Sequence, residues 1–444
     1  MKIDRYQAYK DSGVEWFDEI PTHWEMNQLK IVSKKITDGE HISPEFTDEG
    51  MPFLSAKDVR NRKVILSVNK FVSFANGKRF RKRCNPAKGD LLIVSRGATI
   101  GRIGLVETDR EFCLLGSVIL IKPRYSKIDS LYLLYFFNIG VTQKNLFLTS
   151  QASAQQAIYL ADISGLPTLL PPVDEQKSIA HYLDTKTAQI DRKIDLLTQK
   201  AERYGNLKQS LINETVTRGL DKTVPMKNSG VEWLGNVPEH WQIIRLKDLS
   251  DIQNSNIDKK SHNDEISVRL CNYVDVYKNE FINSSLDFMK ATASKSEIKQ
   301  FTIKNGDIFI TKDSESCEDI AIPALAIESL KGVLCGYHLA RLRTNEKKIV
   351  GSYLFRLFQS KSYGFRFVIS AKGITRVGLG QSAIADSLTP VPPISEQKAI
   401  ADYLNTKTTQ IDRVIQTINT QIEKLKELRK TLINDVVTGK IKVV

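Results

Sequence analysis

The chain has 444 residues, 41% of them hydrophobic and 8% aromatic, enough to bury two or three cores rather than one. Its 64 Lys and Arg outweigh 51 Asp and Glu for a formal charge of +13, with a pI near 9.3, so a polyanion is the first partner to consider. Nucleic acid fits better than a membrane, since the most apolar stretch, Leu131 to Val141, contains Asn138 and is about half the length of a bilayer span.

The N-terminus, Met1-Lys2-Ile3-Asp4-Arg5, carries charge without a following apolar run, which points to a cytoplasmic protein. Cys84, Cys113, Cys271, Cys317 and Cys335 form no CxxC pair. Free and mostly buried thiols are expected, with neither a zinc ribbon nor a disulfide framework. The six histidines are scattered without the i, i+4 spacing of a metallohydrolase helix. No metal is expected on this chain.

In chain order, Ser12-Gly13-Val14-Glu15-Trp16, Ile20-Pro21-Thr22-His23-Trp24 and Leu29-Lys30 come first. The densest basic run follows, Lys78-Arg79-Phe80-Arg81-Lys82-Arg83. Its cations Lys78, Arg79, Arg81, Lys82 and Arg83 suit phosphate contact, or form a solvated charge run. Asp90-Leu91-Leu92-Ile93-Val94 reads as a strand. The loop after it, Ser95-Arg96-Gly97-Ala98-Thr99-Ile100-Gly101-Arg102, brings Ser95, Arg96, Thr99 and Arg102 to one glycine-rich turn. Arg96 there suits a bidentate contact to guanine; a tight structural turn is the other reading. Ser117 to Ile121 reads as a second strand, and Ser130 to Phe137 as a helix.

Pro171 and Pro172 then stop the preceding element, with Asp174 as the expected cap of a long helix. Leu183, Ile190, Leu197, Tyr204 and Leu211 recur every seven residues along it. A ladder of that length with charged residues between its rungs predicts a coiled coil; two surface helices packed on separate domains are the alternative.

The pattern then starts again at an offset of about 217 residues. Ser229-Gly230-Val231-Glu232-Trp233, Val237-Pro238-Glu239-His240-Trp241 and Leu246-Lys247 repeat the opening segments. Asp307 to Thr311 is a strand and Gly351 to Ser360 a helix. At the place equivalent to the first glycine-rich loop stands Thr311-Lys312-Asp313-Ser314-Glu315, where Lys312 and Ser314 are the polar candidates. Lys372, Thr375 and Arg376 form a later group, in Lys372-Gly373-Ile374-Thr375-Arg376-Val377-Gly378. Pro392-Pro393 and Glu396-Gln397-Lys398 match Pro171-Pro172 and Glu175-Gln176-Lys177, and a second ladder follows: Leu404, Ile411, Ile418, Leu425 and Leu432.

Frames therefore match while contents differ, as expected of two modules that read different things on one scaffold. The expected fold is α+β: two mixed α/β recognition domains, residues 1–172 and 221–393, each followed by a long helix, 173–220 and 394–444. A helix of roughly 40 residues is about 60 Å long, and duplication favours an antiparallel pair with pseudo-two-fold symmetry. The repeated His23-Trp24 and His240-Trp241 belong to the common frame, where Trp packs and His caps or hydrogen-bonds, rather than to catalysis.

Lys10 to Trp16, Ile20-Pro21, His23-Trp24, Pro171-Pro172 with Glu175-Gln176 and the helix beyond, and Val437-Thr438-Gly439-Lys440-Ile441 resemble the specificity subunits of type I restriction-modification systems over essentially the whole chain. Ser95-Arg96 with Thr99 and Gly101, and Lys312 to Glu315 with Gly336-Tyr337-His338, are similar to recognition loops of two subtypes. Ala154-Gln155-Gln156 stands where a small-residue, Gln, Gly/Pro turn would come. The resemblance implies a non-catalytic subunit that reads an asymmetric, bipartite site in double-stranded DNA. The paired helices would set the spacing and dock two modification (adenine methyltransferase) subunits, which restriction subunits join. S-adenosylmethionine, ATP and Mg are then expected on the partner subunits, none on this chain.

Two other functions compete. A metal-dependent nuclease would use Glu175-Gln176-Lys177 or Glu396-Gln397-Lys398, but both sit just after two prolines with no acidic partner on a neighbouring strand. A coiled-coil adaptor that binds only proteins would not need the excess positive charge.

Overall fold

Continuous apolar runs and a seven-residue apolar ladder are the two sequence features that organise the chain. In the computed structural model, which describes residues 4–42, 44–66, 70–151, 156–257, 259, 262 and 264–443, the runs are central strands and the ladders lie on two long helices, Val173–Arg218 of 46 residues and Ile394–Val437 of 44. By its contacts the chain divides into two units, residues 1–197 with 420–444, and residues 198–419. Each long helix is thus shared between the units rather than standing as a domain of its own.

The first unit is built on a six-stranded sheet in the order Ser33–Asp38, Val118–Pro123, Leu91–Val94, Ile103–Leu105, Lys63–Val64, Val59–Arg60. Side chains alternate across a strand, so Leu91 and Ile93 enter the core beneath helix Ser130–Asn138, while Leu92 and Val94 enter a second core on the opposite face. A strand covered on both sides has no polar positions to alternate with, which is why its sequence reads as one apolar run. The second unit repeats the device. Ile308 and Ile310 face one core and Phe309 the other, in a five-stranded sheet ordered Ser250–Asn254, Leu339–Thr344, Ile308–Thr311, Pro323–Ala326, Phe281–Ile282.

The turns that lead into these central strands are also repeated. Gly89 and Gly306 take φ of 87° and 86°, a left-handed conformation that glycine adopts without steric cost. One residue on, Asp90 and Asp307 each accept from a backbone N–H three residues back, Ala87 and Lys304, at 2.8 Å. Each aspartate also meets a cation, Lys122 at 2.6 Å in one unit and Arg343 at 2.7 Å in the other.

The long helices start directly after the double prolines. Pro172 holds the cap position, its carbonyl accepting from Gln176 N–H at 2.9 Å. Asp174 therefore does not cap the helix, as the sequence suggested. It stands exposed in the first turn, 3.4 Å from Lys177, where its charge favours the positive helix end.

Helix pairing is antiparallel in each unit. In the first, Asp191 meets Arg429 at 2.9 Å, and Gly439 just past the second helix packs on Trp24, whose indole bonds Glu175 near the start of the first. In the second, Lys208 meets Asp412 at 2.8 Å and Gly219 lies against Glu396. Numbers rise on one helix as they fall on the other. The ladder residues Leu183, Ile190, Leu197, Leu425 and Leu432 of the first unit, and Tyr204, Leu211, Leu404, Ile411 and Ile418 of the second, are buried or half-buried, whereas off-ladder Leu196, Leu207, Val414 and Leu428 are exposed.

Candidate nucleic-acid interface

The joint between module and helix is the same in both units. Strand Glu25–Gln28 pairs with Pro167–Leu170, and Gln242–Arg245 with Leu388–Val391, so the His-Trp pair before one strand is carried to the helix start after the other. Glu175 accepts from Trp24 Nε1–H at 3.1 Å and Tyr6 O–H at 2.6 Å, with His23 Nε2 at 2.9 Å. Glu396 is held by Trp241 Nε1–H at 3.2 Å and His240 at 2.7 Å. The next residue is a buried glutamine in each case. Gln176 accepts from Asp129 N–H at 2.8 Å and donates to the carbonyls of Lys127 and Pro171; Gln397 accepts from Val350 N–H at 2.8 Å and donates to those of Lys348 and Pro392. These glutamates are occupied by frame contacts. Among the described residues, no group of three His, Cys, Asp or Glu is placed to hold a metal ion.

In the first module the basic run lies on helix Phe74–Arg83, capped by Ser73. Phe80 turns inward against Phe53, so the aromatic that interrupts the cations belongs to the core. Arg81 is half-buried, donating to the carbonyls of Phe112 at 3.0 Å and Pro86 at 3.3 Å and pairing with Glu111 at 3.0 Å. Arg83 is paired with Asp38. Both are engaged within the fold, although Arg83 stays exposed beside its partner; Lys78, Arg79 and Lys82 are the other exposed cations of the run.

The glycine-rich loop joins strands Leu91–Val94 and Ile103–Leu105. It is a tight turn, closed by Gly101 N–H to the Val94 carbonyl at 2.9 Å, with Gly97 and Gly101 at φ of 93° and 80°. It is thus a structural turn that also displays two arginines. Arg96 and Arg102 are exposed, Thr99 is half-buried and Ser95 is buried. Ser95, Arg96 and Asp38 share a cleft of about 270 Å³ with Gly116 and Tyr159. Of the Ala154-Gln155-Gln156 turn, Ala154 and Gln155 lie outside the described residues, and Gln156 has a φ of 47°.

The second module arranges its candidates around a carboxylate. Asp313 is met by Lys312 at 2.8 Å, by Arg376 at 3.3 Å and by the His338 ring. Lys312 also sits 4.8 Å from the centre of the Tyr337 ring, a cation–π distance. Ser314 is buried and accepts from Tyr273 O–H at 3.2 Å. Burial holds His338 below its ordinary pKa, with Arg376 and Lys312 adding to the effect against the pull of Asp313. Lys372 and Thr375 are exposed on the neighbouring hairpin. Asp313 was not among the sequence candidates, because a carboxylate is repelled by phosphates and suits only a base-edge donor such as cytosine N4. Its role is to gather the cations, and its place between Lys312 and Ser314 was the available signal.

The family described as type I restriction modification DNA specificity domain matches residues 21–203 and 238–425, one copy for each half of the chain. The putative type I restriction enzyme MjaX specificity subunit of Methanocaldococcus jannaschii is 24% identical, with 98% of each chain covered. The MjaVIII specificity subunit of the same organism is 23% identical over the same shares. In fold, the chain resembles one from a structure of the type I R-M system described for its complex assembly and conformational transition, at a TM-score of 0.72 and 14% identity, covering 95% of this chain and 99% of that one. It also resembles the HsdS subunit from Thermoanaerobacter tengcongensis, at a TM-score of 0.57 and 14% identity, covering 95% and 98%.

Proposed function

Because the chain belongs to the type I restriction modification DNA specificity family, we propose that it selects an asymmetric, bipartite sequence in double-stranded DNA, each module reading one half. It is a specificity subunit, a non-catalytic component of such a system. The long helices set the length of the unread spacer and dock two modification subunits, to which restriction subunits add. S-adenosylmethionine, ATP and Mg belong to those partners, and the assembly works in the cytoplasm.

The observation that carries this reading is the contrast between identical joints and different loops. Glu175 and Glu396 hold the same His-Trp pairs, while the loop beyond the central strand offers Arg96 and Arg102 in one module and a cation cluster on Asp313 in the other. Exposed arginines suit base edges and exposed lysines suit phosphates. A protein-only adaptor would have no use for two such different polar surfaces on one frame.

Methylation-site mapping of the complete assembly tests the division of labour. One heptad inserted after Leu197, with a matching heptad in the other long helix, adds about 10 Å, or roughly three base pairs. The spacer is expected to lengthen while both half-site sequences stay the same. Altered half-sites with an unchanged spacer would refute the assignment.

A further inference from the structure

Ile374 is the most exposed large hydrophobic residue among those described, at 103% of its reference area. It stands at the tip of a hairpin whose base is fastened. Lys372 and Gly378 exchange both backbone hydrogen bonds, at 3.0 and 2.8 Å, and Leu379 N–H reaches the Lys312 carbonyl at 2.6 Å. Asp313 and Ser314 pair in register with Gly378 and Val377. Gly373 turns the chain at φ of 139°, so tightly that a Cβ there would lie 1.9 Å from the Arg376 carbonyl oxygen. Below the tip, Arg376 is tied to Asp313 at 3.3 Å and to the His338 ring at 3.2 Å.

A turn that keeps an isoleucine in water forgoes the stabilisation its burial would give. Fastening its base lowers the entropy that ordering on a ligand would cost. Lys372 and Arg376 flank the apolar side chain, so the tip is drawn toward phosphates and then presents a branched hydrocarbon between them. The major groove, about 12 Å wide, admits a two-stranded ribbon and therefore the single turn that carries Ile374, and the apolar group on base edges there is the thymine C5 methyl.

We propose that Ile374 is a specificity-determining residue of the second module, reading one thymine of its half-site through the C5 methyl group. This rests on the DNA-reading function above and adds a named base to it.

The test uses the complete chain assembled with its modification subunits and a duplex carrying its mapped methylation site. Each thymine of the second half-site is replaced in turn by deoxyuracil, which removes only the methyl. The wild-type complex is expected to lose about three- to fivefold in affinity at one position, the worth of one buried methyl. Ile374→Ala should bind thymine and uracil equally there, Ile374→Val should keep most of the distinction, and substitutions in the first half-site should affect all three proteins alike. A wild-type complex that prefers its site but feels no uracil, or an Ile374→Ala protein that still feels it, overturns this inference alone. So does an Ile374→Ala loss that is the same on every sequence, or one accompanied by restacking of a base step reported by 2-aminopurine. A wild-type complex with no sequence preference would overturn the function and the inference together.

Discussion

The joints and the reading loops of the two modules have diverged to very different degrees. At the joints, a glutamate meets His and Trp and the following glutamine makes the same three hydrogen bonds in both copies. At the loops, one module has two exposed arginines and the other an Asp313-centred cluster. Groups that hold a module on its helix have internal partners, and their chemistry is fixed by those partners whatever the module reads. Groups at the loops are not tied to the helix starts, and their partners, where they have them, can change with them.

The joints give the largest expected effect, and they are not quite equal. Glu175 has a third donor, Tyr6, and its side chain is 10% exposed against 25% for Glu396. Glu175→Ala strands more buried donors and should cost about 2–4 kcal/mol, against about 1–2 kcal/mol for Glu396→Ala. Denaturant unfolding of each variant measures this. Equal losses would mean that Tyr6 contributes nothing.

Next come the loops of the first module, where two kinds of contact should separate. Arg96→Ala should cost about 1–3 kcal/mol and relax preference at one base. Removing Lys78, Arg79 and Lys82 together should weaken binding on all sequences and flatten the slope of log affinity against log salt by up to about three. Arg81→Ala should act on stability through its lost carbonyl contacts and leave that slope in place. Binding isotherms at several salt concentrations distinguish these outcomes, and an Arg96 effect shared by every sequence would move that residue to the phosphate group.

The smallest expected effect concerns pH, and it lies in the second module. Burial depresses the His338 pKa, so below the ordinary histidine value, about 6.5, the unfolded chain takes up a proton that the folded one resists. Stability contributed by neutral His338 is complete above that pH and declines as pH falls through the folded value. Thermal unfolding between about pH 8 and pH 5 should show this decline in the wild type and less of it in His338→Asn. A rise in stability on acidification would break the assignment.

The sequence carried much of this architecture in readable form. The run Leu91 to Val94 was readable as a strand, though the cover on both its faces was not, and the double prolines marked both helix starts to within a residue. Contacts distant in sequence left no such trace. Glu175 and His23 are 152 residues apart, and Arg81 and the Phe112 carbonyl 31 apart, so neither the clasp at the joint nor the capture of Arg81 follows from local pattern. Repetition was the usable hint: Glu175 and Gln176 recur as Glu396 and Gln397, which is why they belong to the frame even though their spacing to Lys mimics a nuclease. Asp174 was misplaced for a local reason, since proline can itself occupy the residue before the first helical turn.

The two buried glutamines have a mechanical consequence. Each ties its helix to a backbone N–H and a carbonyl at the foot of the module and to the proline carbonyl behind it. Three bonds in different directions make a weld where a single one would make a swivel. Torque on a module is passed to the root of its helix instead of being lost in a slack elbow, and any give in the protein has to be found farther along.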